Sequence, residues 1–371
     1  MTHFLIVLFI AMIFSLPSES KKLVSFRLFK WKTTPTPKAQ LISFIILLFF
    51  MALRYEFGND YGNYRLIHSD IQHGYISTWH RRNFLFVFAN IIITNFHWLI
   101  AILSFCYLIV LHSLMRKNLQ TNQYWFALLL LLINPTLFLI HLSAIRQAIA
   151  IAIFILAIHL SQKKLPLFPR KLKYNKIVNF AMYSSLIILA SGMHTSAILL
   201  LPVYFFLNQK KVNRGFKISL VLFIVAMLTT PLYRIIINIG LNYFPQYEGH
   251  FTPEQGLTFG LGAIINTLFF FLLILLNINK LEGKEIVYGK LYLIATTFTF
   301  IARVSPMITR VGMYFDTFII IALPLVFSKM KKGYLRNITF ACMMLIYVAR
   351  LRTFFTNPMW WSFWEYRTIF G

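Results

Sequence analysis

Long apolar runs separated by short polar or basic stretches make up most of the chain. They do not alternate strictly, so they predict membrane helices rather than strands, because a helix satisfies its own backbone hydrogen bonds in lipid. Twelve runs read as spans: 3–17, 40–53, 96–115, 124–142, 145–160, 177–191, 194–208, 218–239, 259–279, 288–302, 308–328 and 335–349. A span needs about 20 residues, so 40–53 and the pair flanking Gly192 are short. The apolar stretch 83–95 is either a helix on the membrane surface or a continuation of the third span. The expected fold class is therefore all-α, a polytopic integral membrane helical bundle of about 12 transmembrane helices. It forms one membrane domain over 1–371, with external loops at 54–82 and 240–258 as its sizeable soluble surfaces. The segment Ser15-Leu16-Pro17-Ser18 resembles a signal-peptide cleavage region, but no Lys or Arg precedes the first run, and Lys21 and Lys22 follow it. That is the reverse of a secretory leader, and the expectation is an uncleaved anchor with its N terminus outside.

Composition excludes the other classes. Hydrophobic residues make up 58% of the chain and charged residues 12%, with mean hydropathy +0.69. Soluble domains hold about 45–50% apolar and about 25% charged residues. The net charge is nevertheless +26, from 36 Lys+Arg against 10 Asp+Glu. Alone, such an excess points to nucleic acid or an anionic surface.

Placing 17–39 in the cytoplasm and alternating the spans sorts this charge by the positive-inside rule. All lysines then fall inside, with Arg27, Arg116, Arg170, Arg214 and Arg336. Every outside basic residue is an arginine: Arg54, Arg65, Arg81, Arg82, Arg146, Arg234, Arg303, Arg310, Arg350, Arg352 and Arg367. Both termini lie outside in this topology. Inside lysines need only an anionic lipid surface. The outside arginines gain nothing from that rule, and arginine suits bidentate binding of phosphate or carboxylate. They mark either an outward anion site, such as one for a pyrophosphate, or local pairing with acids and snorkelling to headgroups.

Polar residues enter the apolar pattern at five places. At the first, Arg54, Tyr55, Glu56, Gly58, Asp60, Tyr61, Gly62 and Tyr64 leave the second run. They combine a cation, carboxylates, phenols and glycines that permit close approach; an interfacial aromatic belt is the plainer reading. The second, Arg146-Gln147, opens a middle run, where helix N–H groups already favour an anion. Asn134-Pro135 breaks the run before it. His194-Thr195-Ser196, the third, follows Gly192, and His194 serves there either as a proton acceptor or as a turn cap. The fourth holds Arg303 and Arg310 on either side of Pro306, with Asp316 beyond. The fifth is the tail, 357–367, with three tryptophans; it reads as an interface-lying segment or as a sugar-stacking one.

Cys106 and Cys342 sit in apolar runs and are expected to be buried thiols. The sequence has no CxxC, Walker A, GxGxxG, DxD or HExxH pattern. No metal, cofactor or nucleic-acid partner is expected.

The segment Arg54…Gly58…Asp60-Tyr61…Tyr64, the pair Arg146-Gln147, the run His194-Thr195-Ser196 and the late Arg310 together resemble the EpsG family over about 40–320. The resemblance implies exopolysaccharide or O-antigen polymerases of the Wzy type, with a glycosyltransferase-C-like helical bundle. Such proteins act at the outer face of the bacterial cytoplasmic (inner) membrane on oligosaccharide units carried by undecaprenyl pyrophosphate. Implied partners are that lipid-linked donor and acceptor, membrane lipid and a chain-length regulator protein. In this reading Arg54, Arg146, Gln147, Arg303 and Arg310 bind the pyrophosphate. Asp60 is the first choice of general base and His194 the second, and Tyr61 and Tyr64 contact sugar. The donor is already activated, so no nucleotide is needed. Two other functions use the same features: a flippase for a lipid-linked oligosaccharide, and an O-antigen ligase-like glycosyltransferase. A flippase often shows internal repeats; none is evident, and the polar sites cluster toward one face.

Overall fold

The computed structural model describes residues 2–16, 23–24, 27–28, 31–32, 36–77, 81–162, 172–207, 212–229, 235, 238, 261–301 and 306–371. Arg303 and the expected loop 240–258 lie outside the described residues. The protein is an all-helical membrane protein. Large apolar side chains cover its outside, with Phe9, Leu276 and Leu345 exposed by 66%, 73% and 70%. A soluble protein does not carry so much outward apolar surface.

The described chain divides into two compact units, 1–207 with 337–371, and 208–336. The first unit contains α1 (Thr2–Ser15), α2 (Lys38–Ala52), α3 (Tyr61–Gln72), α4 (Phe84–Ile92), α5 (Phe96–Asn118), α6 (Tyr124–Ile133), α7 (Leu139–Ser143), α8 (Ile145–Ser161) and α9 (Leu172–Ser191). A 3₁₀ helix over Thr195–Val203 leads into the short α10 (Tyr204–Leu207). The second unit contains α11 (Arg214–Thr229), α12 (Leu261–Asn277), α13 (Glu285–Ile301), α14 (Pro306–Asp316) and α15 (Ile319–Lys329). The chain then returns to the first unit as α16 (Tyr334–Thr356), most of which belongs there, and a 3₁₀ turn over Pro358–Phe363.

Helix starts and stops follow local chemistry. Asn95 caps α5, its side-chain oxygen accepting from the N–H groups of His97 and Trp98. Arg116 and Lys117 sit in the last turn, where cations oppose the dipole. The cap also shows that 83–95 is not a continuation of the third run: α4 ends at Ile92 and α5 starts afresh. Phe86, Val87 and Asn90 of α4 face inward, while Phe84, Phe88, Ile91 and Ile92 face out. The run 124–142 is broken at Asn134-Pro135 into α6 and α7, as expected where proline restricts the preceding residue and supplies no N–H.

Among the described residues two helices have the length and apolarity of a full span, α5 and α16, each 23 residues long. At about 1.5 Å per residue each covers roughly 34 Å, enough for a hydrocarbon core of about 30 Å. The pair 308–316 and 319–329 is bent by 48° and makes a third span if taken together. The other apolar helices run 10–17 residues. Three short antiparallel strand pairs accompany the helices: Leu23–Val24 with Thr36–Pro37, Arg27–Leu28 with Trp31–Lys32, and Arg54–Tyr55 with Arg367–Thr368.

Packing in the first unit centres on α8. Ala148, Ala150 and Ala157 are fully buried there; small residues let helices approach closely. Helices α5 and α9 pack on it. A cluster of phenylalanines joins the ends of the chain: Phe4 of α1 lies 6.1 Å from Phe50 of α2, 6.2 Å from Phe138 and 5.9 Å from Phe355 of α16. In the second unit α13 packs on α11, α12, α14 and α15. Phe298 stacks on Phe315 at 5.6 Å, and Lys329 pairs with Glu285 at 2.6 Å. Cys106 and Cys342 correct the expectation of buried thiols. Both are free and exposed, because each sits on the outward face of a long apolar helix, where apolar neighbours in sequence do not imply burial.

Candidate functional site

Arg54 follows α2 directly and is only 1% exposed. Its Nη1 donates to the Met51 carbonyl and to Ser104 Oγ at 3.3 Å, and its Nη2 donates to the Leu142 carbonyl at 2.9 Å. Both carbonyls lie in the last turns of helices, α2 and α7, where C=O groups lack helical partners and the dipole is negative. Arg54 thus caps two helix C termini at once. Its Nε is buried with no partner.

The chain then turns sharply. Glu56 has φ +51° and Gly58 has φ +103°. A Cβ on Gly58 would stand 3.1 Å from Cα and 3.2 Å from Cβ of Ser143. Ser143 Oγ accepts the Asp60 N–H at 3.1 Å. The turn is therefore pressed onto the residue three before Arg146. Gly58→Ala should destabilise the protein by about 1–3 kcal/mol, from left-handed backbone strain and contact with Ser143; thermal unfolding of the purified protein measures this.

Asp60 precedes α3 but makes no side-chain cap bond to it. One turn on, Tyr64 is buried. The Arg146 guanidinium lies 5.1 Å over the Tyr64 ring and 5.2 Å over the Phe86 ring. Burial holds the Tyr64 phenol above its ordinary pKa; Arg146 opposes that shift and Asp60 adds to it. A carboxylate and a guanidinium therefore act on one phenol. Arg146 is the second residue of α8, and its Nε is buried with no hydrogen-bond partner. The Ala148 N–H donates to the Ala144 carbonyl at 3.0 Å. The N–H groups before it carry the positive end of the helix dipole.

His194 joins this region through its turn. The Gly192 carbonyl accepts from the N–H groups of Leu85 at 2.9 Å and Phe86 at 3.2 Å, capping α4. A Cβ on Gly192 would meet the Phe84 ring at 2.5 Å, so a larger residue there requires that half-exposed ring to move. Phe86 in turn packs on Tyr64 and Arg146. His194 Nδ1 is 2.8 Å from Ser196 Oγ.

The other sequence candidates fall elsewhere. Gln147 is buried at the start of α8. Tyr61 is buried, with its hydroxyl 3.4 Å from His97 Nδ1, and burial pushes that phenol up to about 12. The rings of Tyr61 and Tyr64 thus present little face to a sugar. Arg310 is exposed on α14 in the second unit. Among the described residues no group of three His, Cys, Asp or Glu side chains is placed to hold a metal.

Sequence reasoning missed Ser143 as the seat of the turn, Phe86 as the second face of Arg146, and the docking of the tail. The inner side of the tail is fastened to residues 50–59, while Trp361 and Trp364 face out. Arg54–Tyr55 pairs with Arg367–Thr368, the Ile369 N–H donates to the Leu53 carbonyl at 2.9 Å, and the Gly58 N–H donates to the Ser362 carbonyl at 3.3 Å.

A short-helix membrane architecture, with an arginine stacked on two aromatic rings at a helix N terminus, is the class these observations define. The chain belongs to the EpsG family, whose model matches residues 39–368. No curated protein and no solved structure matches it.

Proposed function

We propose that the protein polymerises polysaccharide repeat units carried on undecaprenyl pyrophosphate, at the outer face of a bacterial cytoplasmic membrane. Membership of the EpsG family supports a polysaccharide polymerase-type function. The single observation that carries the chemistry is the Arg146 guanidinium 5.1 Å over the ring of Tyr64, a turn beyond Asp60, whose N–H is seated on Ser143 just before α8.

In this reading a hydroxyl of the acceptor sugar gives its proton to the Asp60 carboxylate as its oxygen attacks the anomeric carbon of the donor. The new glycosidic C–O bond forms while the bond from that carbon to the pyrophosphate oxygen breaks. The polyprenyl pyrophosphate leaves with the electron pair. Arg146 and the positive end of the α8 dipole stabilise the developing negative charge where it appears. Arg54, spent on carbonyls, shapes the turn rather than touching phosphate. Tyr64 carries its hydroxyl, not its ring, to the site. His194 stands close by through the Gly192 turn and is the second candidate for proton transfer.

Deletion of the gene tests the reading against its rivals. A polymerase deletion leaves single repeat units on the final acceptor. Lipid-linked units trapped on the cytoplasmic side, with no surface glycan, would point instead to a flippase. Lipid-linked polymer that is never passed on would point to a ligase. Asp60→Asn, expressed at the normal level, should lower polymerisation by about 10²–10⁴-fold, the usual worth of a general base. Full polymer from Asp60→Asn removes Asp60 from that role.

A further inference from the structure

The last fifteen residues, 357–371, do more than end α16. Tyr366 stacks on Phe50 at 4.3 Å with the rings 10° apart, and its hydroxyl donates to the Phe50 carbonyl at 2.9 Å. Phe57 meets the edges of Phe363 at 5.2 Å and Tyr366 at 5.1 Å. Asn59 is gripped at both ends of its amide. Its Nδ2 donates to the Met359 carbonyl at 3.0 Å, and its Oδ1 accepts from the Ser362 hydroxyl. Asn357 organises the grip by capping the turn that carries these residues, accepting from the Met359 N–H.

The 57–60 turn is thus held on two sides. The tail takes Phe57, Gly58 and Asn59, and Ser143 takes Gly58 and Asp60. Nothing within the turn fixes Asp60 by itself, since its side chain makes no cap bond. The backbone at Glu56, with φ +51°, is in a region that a non-glycine residue leaves when it is not held.

We propose that residues 357–371 form a clamp that sets the position of Asp60 relative to Arg146, with Asn59 and Ser362 as its positioning residues. This rests on the reading of Asp60 as the general base. The clamp contacts Asn59, not Arg146, so its loss misplaces the base while leaving the phosphate site intact. It therefore acts on kcat and not on the affinity for donor. A displacement of about 1 Å can cost on the order of 10²-fold in rate.

The test uses the full chain in membranes, with lipid-linked oligosaccharide extracted from cells lacking the protein as probe. Ser362→Ala should lower kcat by about tenfold or more and leave KM for that probe within about twofold. Ser362→Thr, which keeps the hydroxyl, should restore kcat. In a background with Cys106→Ser and Cys342→Ser, the pair Asn59→Cys and Ser362→Cys should form a crosslink on oxidation. The oxidised chain should polymerise faster than the reduced one, because the crosslink replaces the lost hydrogen bond. An active chain that does not crosslink overturns the clamp, and so does one that is faster when reduced, which would make the tail a lid. So too does a Ser362→Ala chain with raised KM and unchanged kcat. A chain that crosslinks but makes no polymer in its unaltered form overturns the polymerase reading and leaves the docked tail standing.

Discussion

Arg146→Ala should reduce polymerisation by about 10²–10³-fold, the usual effect of removing one preorganised donor from a developing anion. The guanidinium lies against two aromatic rings, Tyr64 and Phe86, and its Nε has no hydrogen-bond partner. In the proposed reaction the cation is held in place before substrate arrives, so little reorganisation is needed as charge builds on the leaving group. Arg146→Lys retains the charge but loses the planar fork and its stacking. It should recover only a small part of the rate, with most of the loss in kcat. Initial rates on extracted lipid-linked oligosaccharide, corrected for protein level by immunoblot, give the answer. A lysine variant at the full rate would mean that Arg146 supplies only a diffuse charge, and the bidentate role would be abandoned.

Arg54→Ala should act on stability before it acts on chemistry. The side chain satisfies Met51, Ser104 and Leu142 together, and its loss strips partners from two carbonyls at helix C termini. Leaving a buried polar group without its partner costs about 1–3 kcal/mol. Two such groups, with the cavity left by a large side chain, put the loss at about 3–5 kcal/mol. The variant should therefore melt markedly lower in detergent and accumulate poorly in membranes. Arg54→Lys should fall between, since one ammonium cannot span acceptors on three elements. An Arg54→Ala chain that melts normally yet fails to polymerise would return Arg54 to the phosphate-binding role that its spacing implies.

These two arginines show how far the sequence could be read. Both follow or open an apolar run, both have glycine, serine or glutamine nearby, and both fit an anion-binding pattern. What separates them is whether the guanidinium finds carbonyls within reach. For Arg54 one of those acceptors, the Leu142 carbonyl, comes from α7, a helix of five residues that follows the break at Asn134-Pro135. The break was legible in the sequence; the return of α7 to α2 was not, because it depends on packing over 88 residues of chain. The Gly192 turn was legible as a turn, and His194 as either cap or base. That its carbonyl caps α4, and so ties His194 to Phe86 and Arg146, is a tertiary fact. Long apolar runs located the helices well. Among the described residues, interruptions at Pro135, at Gly192 and at Thr317 shorten the helices around them.

The clasp between Asn59 and Ser362 joins residues 303 apart in the chain. At about 5–20 residues per second, a ribosome needs roughly 15–60 s to make the second half of that contact after the first has emerged. In the later part of that interval, once Ser143 has been made, the Asp60 turn has its Ser143 seat but not its tail. Residues 50–59 are therefore held on one side only until residues 357–371 have been made and have docked on them.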